Sequence, residues 1–403
     1  MAATTGYQTR AFAEAGRRLG IEMVLATDRC HVLGDPWGDR AVPIRFEQPV
    51  ESAGKLAELA VDGVVAVGDR PAWIAAMAAE RLALPFHPAK AVEAASDKHL
   101  ARERFARAGM VTPDHYRISK FGPPRRAKFY PCVLKPMGLS ASRGVIRADD
   151  DAGFIAAAKR IGAILRHPDI ERLAEPRNAF IQVERFLAGS EFALEGLVTR
   201  GKLRTLAIFD KPDPLDGPFF EESIYVTPSR EAEEIQTELR EAAQRAVTAL
   251  GLDHGPVHAE MRLTAQGVFV LEVAARPIGG LCSKVLRFDG GVTLEEIILR
   301  HALADDPRFA GEALAGGVMM IPIPKSGIYH GAAGAEAARE VLGLLDVIIT
   351  AKPGQKLEML PEGASYLGFL FASGIGAEQT LREAHRRLSF DIQTELYITK
   401  SVD

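Results

Sequence analysis

The sequence predicts a protein of mixed α/β and α+β class in three parts, and three observations carry that prediction. Over residues 1–95, short apolar runs alternate with amphipathic helical stretches, the pattern of a parallel sheet covered by helices. From Ser96 onward, strand-like segments joined by short turns replace that alternation, with one long helical stretch among them. From about residue 311, further apolar strand segments form a C-terminal unit.

In chain order, a helix is predicted from Thr9 to Leu19, then an apolar strand from Met23 to Ala26. A second apolar run, Gly63 to Val67, leads through Gly68 into a helix from Ala72 to Arg81. Met1 to Gly6 serves as the end of a first strand and its turn, so that strand is expected to be shortened or absent. Ser96 and Asp97 are N-cap candidates for a helix running to about Ala108 and closed by Gly109. Strands follow at Tyr130–Lys135, Phe180–Phe186 and Phe192–Thr199, with a long helix over Arg230–Leu250. Pro256–Leu263 and Val268–Val273 flank the turn Thr264–Gly267 as a hairpin. The C-terminal strands are expected near Val318–Ile323, Val347–Ala351 and Tyr366–Ser373.

Composition narrows the function classes. The 403 residues suit two or three domains, with 47% hydrophobic and 25% charged residues. The net charge is −4 and no basic stripe stands out, which argues against a nucleic-acid partner. The run Arg125, Arg126, Lys128 follows Pro123 and Pro124 and reads as a solvated loop. Cys30, Cys132 and Cys282 lack CxxC spacing, which suits a reducing compartment and not a zinc site. With no leader pattern and no run of about 18 apolar residues, the chain reads as cytoplasmic and without a membrane partner.

Three constellations carry chemistry. Glu260 and Glu272 lie in the two strands of the hairpin, and strand alternation puts His258, Glu260 and Arg262 on one face. If the strands pair around the turn, both carboxylates face one site, and two hard oxygen ligands suit Mg²⁺. Arg276 would bring positive charge to the same place; the competing reading is an edge hairpin with two solvated glutamates. Second, Lys135 ends a strand and precedes a Gly/Ser-rich loop through Val145, whose small residues let backbone N–H groups approach phosphate oxygens. It matches no Walker A spacing, and an ordinary hairpin turn explains it as well. Lys98, at the start of the helix after Asp97, is by itself a surface lysine. Third, Val183 to Glu191 is a strand, an extended connector and a returning carboxylate. Such a connector can read an adenine edge with its backbone, and a carboxylate beyond it can hold ribose hydroxyls; a charged hairpin loop is the plain alternative.

Taken in order, these segments from about Ser96 to Arg300 resemble the ATP-grasp superfamily. The resemblance implies an ATP-grasp domain over 96–310, with a smaller lid subdomain at about 110–185. A pre-ATP-grasp α/β domain over 1–95 would precede it, and an α+β C-terminal domain over 311–403 would follow. By matching motif, Lys98 and Lys135 look like the lysines that contact ATP phosphates, and Ser140, Ser142 and Gly144 resemble the phosphate-covering loop. Glu184 to Leu187 resembles the hinge that reads adenine through backbone groups of Arg185 and Leu187, with Glu184 near the amino group. Glu191 resembles the ribose carboxylate, and Glu260 and Glu272 the magnesium ligands. One departure is Ala274, where many members have asparagine as a third metal ligand. Glu272-x-Ala-Ala-Arg276, the segment Asp210 to Pro228, Pro322-Ile-Pro324 and Gly368 to Gly374 look like the bacilysin-type L-amino-acid ligases.

That resemblance implies an ATP-dependent carboxylate–amine ligase that forms an amide, a dipeptide bond among amino-acid substrates, through an acyl phosphate. ATP with Mg²⁺, or Mn²⁺ in its place, would be the cofactors. Lys98, Lys135 and Arg276 would neutralise charge on the transferred group. Glu222 or Glu221 is expected near the incoming ammonium, and His258 either reaches the substrate carboxylate or orients Glu260. The resemblance allows a homodimer that no residue specifies. Rival readings are an ATP-grasp carboxylation or phosphoryl transfer, a purine-pathway ligase, and a nucleotide-binding protein without turnover, which Ala274 keeps open.

Overall fold

The computed structural model describes residues 1–3, 7–28, 40–123, 126–172, 174–305 and 312–394. Cys30, Pro124, Arg125, the turn Thr4–Gly6 and the expected boundary at 310/311 lie outside the described residues.

The N-terminal unit comprises β1 (Ala2–Ala3), α1 (Tyr7–Leu19), β2 (Leu25–Thr27), β3 (Ala41–Pro43), α2 (Pro49–Ala57), β4 (Ala66–Val67) and α3 (Asp69–Leu82). Its strands pair in parallel in the order β3-β2-β1-β4. The first strand is therefore present. It is only two residues long but central, Ala2 pairing with Ala26 on one side and Ala66 on the other. Both alanines are buried, and their small side chains let α1 and α3 close over the sheet. The helix α4 (Ala89–Ser96) was not anticipated from the sequence. Because Ser96 ends it, Asp97 alone caps α5 (Lys98–Arg107), accepting from the backbone N–H groups of His99 and Leu100 at 2.9 and 3.0 Å.

A second unit comprises β5 (His115–Ser119), β6 (Cys132–Pro136), β7 (Ile146–Ala148), α6 (Asp151–Ile164), α7 (Pro168–Glu171) and β8 (Phe180–Arg185). Its antiparallel sheet runs β5-β8-β6-β7, and α6 packs Phe154, Ile161 and Ile164 onto Cys132, Leu134 and Val183 as a core of its own. A body with a private core can move as one piece.

The remainder is organised by one long antiparallel sheet. Its elements in chain order are β9 (Ser190–Thr199), β10 (Lys202–Lys211), β11 (Ile224–Thr227), α8 (Glu233–Leu250), β12 (His254–Thr264), β13 (Gly267–Ala274) and α9 (Leu294–Ala302). Then come β14 (Gly316–Ile321), β15 (Gly327–Ala333), α10 (Ala335–Arg339), β16 (Leu344–Ile349), β17 (Lys356–Leu357), β18 (Gly368–Ser373), α11 (Ala377–Arg386) and β19 (Ser389–Gln393). The sheet has eight strands in the order β13-β12-β9-β10-β11-β14-β18-β16. The C-terminal segment thus differs from the separate unit expected from residue 311. The short strand β11 offers β14 an edge, and pairs from Ile224–Met319 to Thr227–Gly316 carry the sheet across. A small sheet, β17-β15-β19, stands apart.

Two cores weld the N-terminal unit to this sheet. One joins Ala53, Ile74, Val92 and Phe105 to Leu194, Leu239, Val247 and Met261; the other joins Phe12, Leu25 and Val65 to Leu197, Phe209, Ile297 and Phe371. The site is held between this rigid floor and the separately cored β5–β8 unit.

Candidate active site

A cleft opens between the β5–β8 unit and the long sheet. Of the residues singled out from the sequence, Lys98, Lys135, Ser140, Ser142, Glu184, Arg185, Leu187, Glu191, Glu222, Glu260, Glu272 and Arg276 line it, whereas Glu221, Gly144 and Ala274 do not, and His258 lies directly behind Glu260. The apolar lining comes from Val133, Leu139, Phe186, Leu187, Leu215, Phe220 and Leu271, the mixture of flat apolar walls and convergent charges that small-molecule sites use.

The hairpin registers Glu260 directly opposite Glu272, so both carboxylates line the cleft, and a β-bulge follows between Glu260 and Met261. Glu272 faces Lys98 at 3.9 Å. One oxygen each of Glu191, Glu222 and Glu260 lie within 4.8 Å of one another. The pairing of Glu260 with Glu272 as one ligand set is thus only part of the arrangement. Glu222 and Glu191 stand closer to Glu260 than a reading of the hairpin alone implied. All three offer hard oxygen donors, which suits a divalent cation of the magnesium kind.

Lys211, at the end of β10, is the residue that sequence reasoning missed. Its ammonium contacts Glu222, meets Glu191 at 2.7 Å and Glu260 at 3.8 Å, and its side chain is 2% exposed. Burial pushes this lysine toward neutrality, but the three carboxylates reverse that and raise it well above its ordinary value. Burial pushes Glu222 up despite Lys211, with Glu260 and Glu191 adding to the rise. Burial also opposes ionisation of Glu260, but Lys211 and then His258 hold it well below the usual carboxylate range.

His258 sits between Glu195 (Nδ1 to carboxylate, 3.1 Å) and Glu260 (Nε2 to carboxylate, 3.7 Å). Burial alone would keep the ring neutral, but hydrogen bonds to Glu195 and Glu260 outweigh it and raise the ring to about 9. Both nitrogens thus serve carboxylates of the protein, the arrangement that orients Glu260. Glu195, fully buried, also accepts from the Ile278 N–H at 3.1 Å.

The hinge differs from its expected form in one respect. Glu184 was expected near an adenine amino group, yet its carboxylate is spent on the protein. Lys135 Nζ binds it at 2.5 Å, Arg102 at 2.8 and 3.3 Å, and Gln182 at 2.8 Å. Burial opposes its charge, and Arg102 and Lys135 overcome that to keep it ionised. Arg102 also donates to the Val270 and Leu271 carbonyls at 3.0 and 2.8 Å, tying α5, β8 and β13 behind the cleft. Arg185 donates its backbone N–H to Asp114 at 2.9 Å, and the Leu187 carbonyl accepts from Arg262 at 2.7 Å. Arg262 further binds Glu191 and the Leu215 carbonyl at 2.7 and 2.9 Å. Gly189 makes the hinge fit: a Cβ there would lie 1.9 Å from the Leu263 carbonyl oxygen.

Over the cleft, Lys98 Nζ donates to the Leu139 carbonyl at 3.1 Å. Ala141 and Ser142 have φ of 53° and 54°, a left-handed pair that non-glycine residues adopt at a strain. The loop is fastened from outside: the Gly144 N–H donates to Pro361 at 2.9 Å and Arg143 Nε to the Glu362 carbonyl at 2.7 Å. Arg276 reaches the cleft from beyond β13 and is held by Asp69 of α3 at 2.8 Å, another partner the sequence did not disclose. Ala274 is buried in β13.

Comparison with known proteins agrees with this architecture. The ATP-grasp domain family matches residues 128–285, and L-amino acid ligase C-terminal domain 2 matches residues 319–393. Alanine–anticapsin ligase of Bacillus subtilis is 28% identical over 270 residues, 63% of this chain and 56% of that protein. Dapdiamide A synthase of Enterobacter agglomerans is 28% identical over 153 residues, 38% of this chain and 34% of that protein. The chain spans about half the length of the curated alanine–anticapsin ligases it matches. The crystal structure of an L-amino acid ligase from Bacillus licheniformis superposes with a TM-score of 0.84 at 27% identity over 98% of both chains. Phosphoribosylglycinamide synthetase from Anaerococcus prevotii, at 16% identity and a TM-score of 0.69 over 97% of this chain and 98% of that one, shares the fold.

Proposed function

For a chain that carries an ATP-grasp domain followed by a C-terminal domain of the L-amino-acid-ligase type, we propose ATP-dependent amide formation between two amino acids through an acyl phosphate. The observation that carries this reading is the single cleft in which Lys98, Lys135, Arg276 and the Glu191–Glu222–Glu260 cluster converge beneath a glycine- and serine-containing loop.

The substrate carboxylate oxygen attacks the terminal phosphorus of ATP and ADP departs. The amine nitrogen then attacks the acyl carbon, phosphate leaves, and a proton is released. Arg185 and Leu187 read the adenine edge with their remaining backbone groups, and Glu191 receives the ribose. Lys135, oriented by Glu184, and Lys98, oriented by the Leu139 carbonyl, set positive charge at the phosphates, while Ser140 and Ser142 close over them. Glu260 and Glu272, with Glu222 close by, would hold Mg²⁺, which when bound would offset phosphate charge. Glu222, a carboxylate at the cleft wall, is placed to receive the incoming ammonium. His258 keeps Glu260 in place, and Arg276 stabilises the transferred group. The buried free thiols of Cys132 and Cys282 support a cytoplasmic setting.

The test is phosphate release from ATP and Mg²⁺ across a matrix of paired amino acids, with products read by mass spectrometry. Release that requires two amino acids, a matching dipeptide mass and loss of both in Glu272→Ala support the proposal. ATP binding with no amino-acid-dependent release anywhere in the matrix refutes it.

A further inference from the structure

Arg276 belongs to the segment after β13, yet the groups that fix it come largely from the N-terminal unit. Its Nε donates to Asp69 Oδ1 at 2.8 Å, and its outer nitrogens reach Asp69 Oδ2 at 3.5 Å and the Pro277 carbonyl at 3.0 Å. Two residues on, the Ile278 carbonyl accepts from the Gln8 side-chain amide, and its N–H donates to Glu195. Asp69 is the first residue of α3, directly after β4, and Gln8 is in the first turn of α1, which follows β1.

Those two helix starts mark a particular place in the sheet. In the order β3-β2-β1-β4, the chain winds from β1 to β2 and β3 on one side and then returns to place β4 on the other. The strands therefore diverge in direction of winding between β1 and β4, and at such a switch point an open parallel sheet leaves a crevice beyond the strand ends where ligands bind. Here the crevice is gripped around protein: the Arg276–Ile278 segment occupies the position between the starts of α1 and α3.

We propose that Asp69 is a positioning residue, and that the N-terminal unit uses its switch-point crevice to aim the Arg276 guanidinium at the phosphoryl group being transferred. This rests on the ligase reading for what Arg276 meets. A free arginine side chain samples many rotamers, and a two-point carboxylate contact removes most of that freedom before the ligand arrives. Asp69 spends its charge on Arg276, and its place in the first turn of α3 favours the ionised carboxylate. On the cleft side the charges of Glu272 and Glu260 act on Arg276 at longer range, so its direct side-chain partner is Asp69.

The test compares binding of Mg²⁺–ADP with that of a Mg²⁺-bound non-hydrolysable ATP analogue by titration calorimetry, since only the analogue carries the group Arg276 would touch. Asp69→Asn is expected to weaken the analogue about tenfold while ADP stays within about twofold. Arg276→Ala is expected to show the same selective loss, and the double variant no loss beyond Arg276→Ala alone. Should Asp69→Asn fail to fold, Asp69→Glu, which keeps the charge and moves the contact, is expected to shift the same ratio. Equal weakening of both nucleotides, or an Asp69 effect that adds in full to that of Arg276→Ala, overturns the inference and leaves Asp69 as a support of the interface. Wild-type chain that binds neither nucleotide overturns the ligase reading and this inference together.

Discussion

Lys211 gathers three carboxylates around one ammonium, and that concentration of charge makes it the residue whose removal should be felt most. Without it Glu191, Glu222 and Glu260 would face one another with only Arg262 beside Glu191 and His258 beside Glu260. Removing one partner of a buried ionic cluster typically costs about 3–5 kcal/mol. Lys211→Met is therefore expected to lower the chemical-denaturation midpoint strongly, and added Mg²⁺ should restore more stability to the variant than it adds to the wild type. A variant as stable as the wild type, indifferent to Mg²⁺, would mean the cluster is not held by this lysine. The sequence exposed Glu260 and Glu272 because a hairpin joins them within a few residues. It hid Lys211 and Asp69 because each acts across a long separation: Lys211 meets Glu260 through two successive strand pairings, β10 with β9 and β9 with β12, and Asp69 meets Arg276 from another unit. Glu184 was legible as a site residue but not as the anchor of Lys135, since its partner Arg102 lies on a helix whose facing cannot be read from spacing.

Among the elements, the loop over the cleft is the one built to move. The β5–β8 unit has its own core, and the 136–145 loop is fastened to the C-terminal segment chiefly by polar contacts. Arg160 forks onto the Glu362 carboxylate at 2.6 and 2.9 Å, while the Glu362 carbonyl takes Arg143. Both Arg160 and Glu362 are nearly half exposed, so their ion pair contributes at most about 1 kcal/mol. That is too little to matter for global stability and enough to bias an open–closed balance. Glu362→Ala should leave the melting temperature unchanged while trypsin cleavage after Arg143 accelerates by about two- to fivefold. Unchanged cleavage would mean that the backbone contact from Gly144 to Pro361 suffices. The strands of the Glu260–Glu272 hairpin, β6, β8 and β9 and the helices α1, α3, α5 and α8 were legible from periodicity and turns, whereas α2, α6 and β10 were not. The helix α4 was not, because Ser96 serves as its last residue as readily as it would serve as a cap. Nor was the pairing of β11 with β14, because four residues after a long loop carry too little pattern to announce a strand.

For the molecule as a whole, three buried histidines give stability opposite slopes with pH. His87 is lowered to about 4 and His301 to about 3, in both cases mainly by burial, with neighbouring histidine charge adding to it. Each stays neutral in the folded chain where the unfolded chain would protonate, so its contribution is full above about 6.5 and is lost as pH falls below that. His258 has the opposite sign. Raised to about 9, it contributes fully below about 6.5 and loses that contribution as pH climbs through 9. Urea midpoints measured from pH 4 to 10 should therefore peak near pH 6.5 and fall on both sides. His258→Gln should flatten the alkaline limb and spare the acid one; an alkaline limb unchanged in that variant would assign the loss to another group.

The seam between β11 and β14 bears on how such a chain can be inherited or recombined. Four residue pairs, from Ile224–Met319 to Thr227–Gly316, make the nucleotide-binding part and the C-terminal part halves of one sheet. A slip of one residue at that seam would send the buried faces of β14, β18 and β16 to the wrong side. The C-terminal part is therefore no interchangeable cassette. A chimaera that keeps β11 from one parent and takes β14 from another must match their register and their buried side chains at once. Change at either strand has to be answered at its partner, so that the two parts diversify as one lineage.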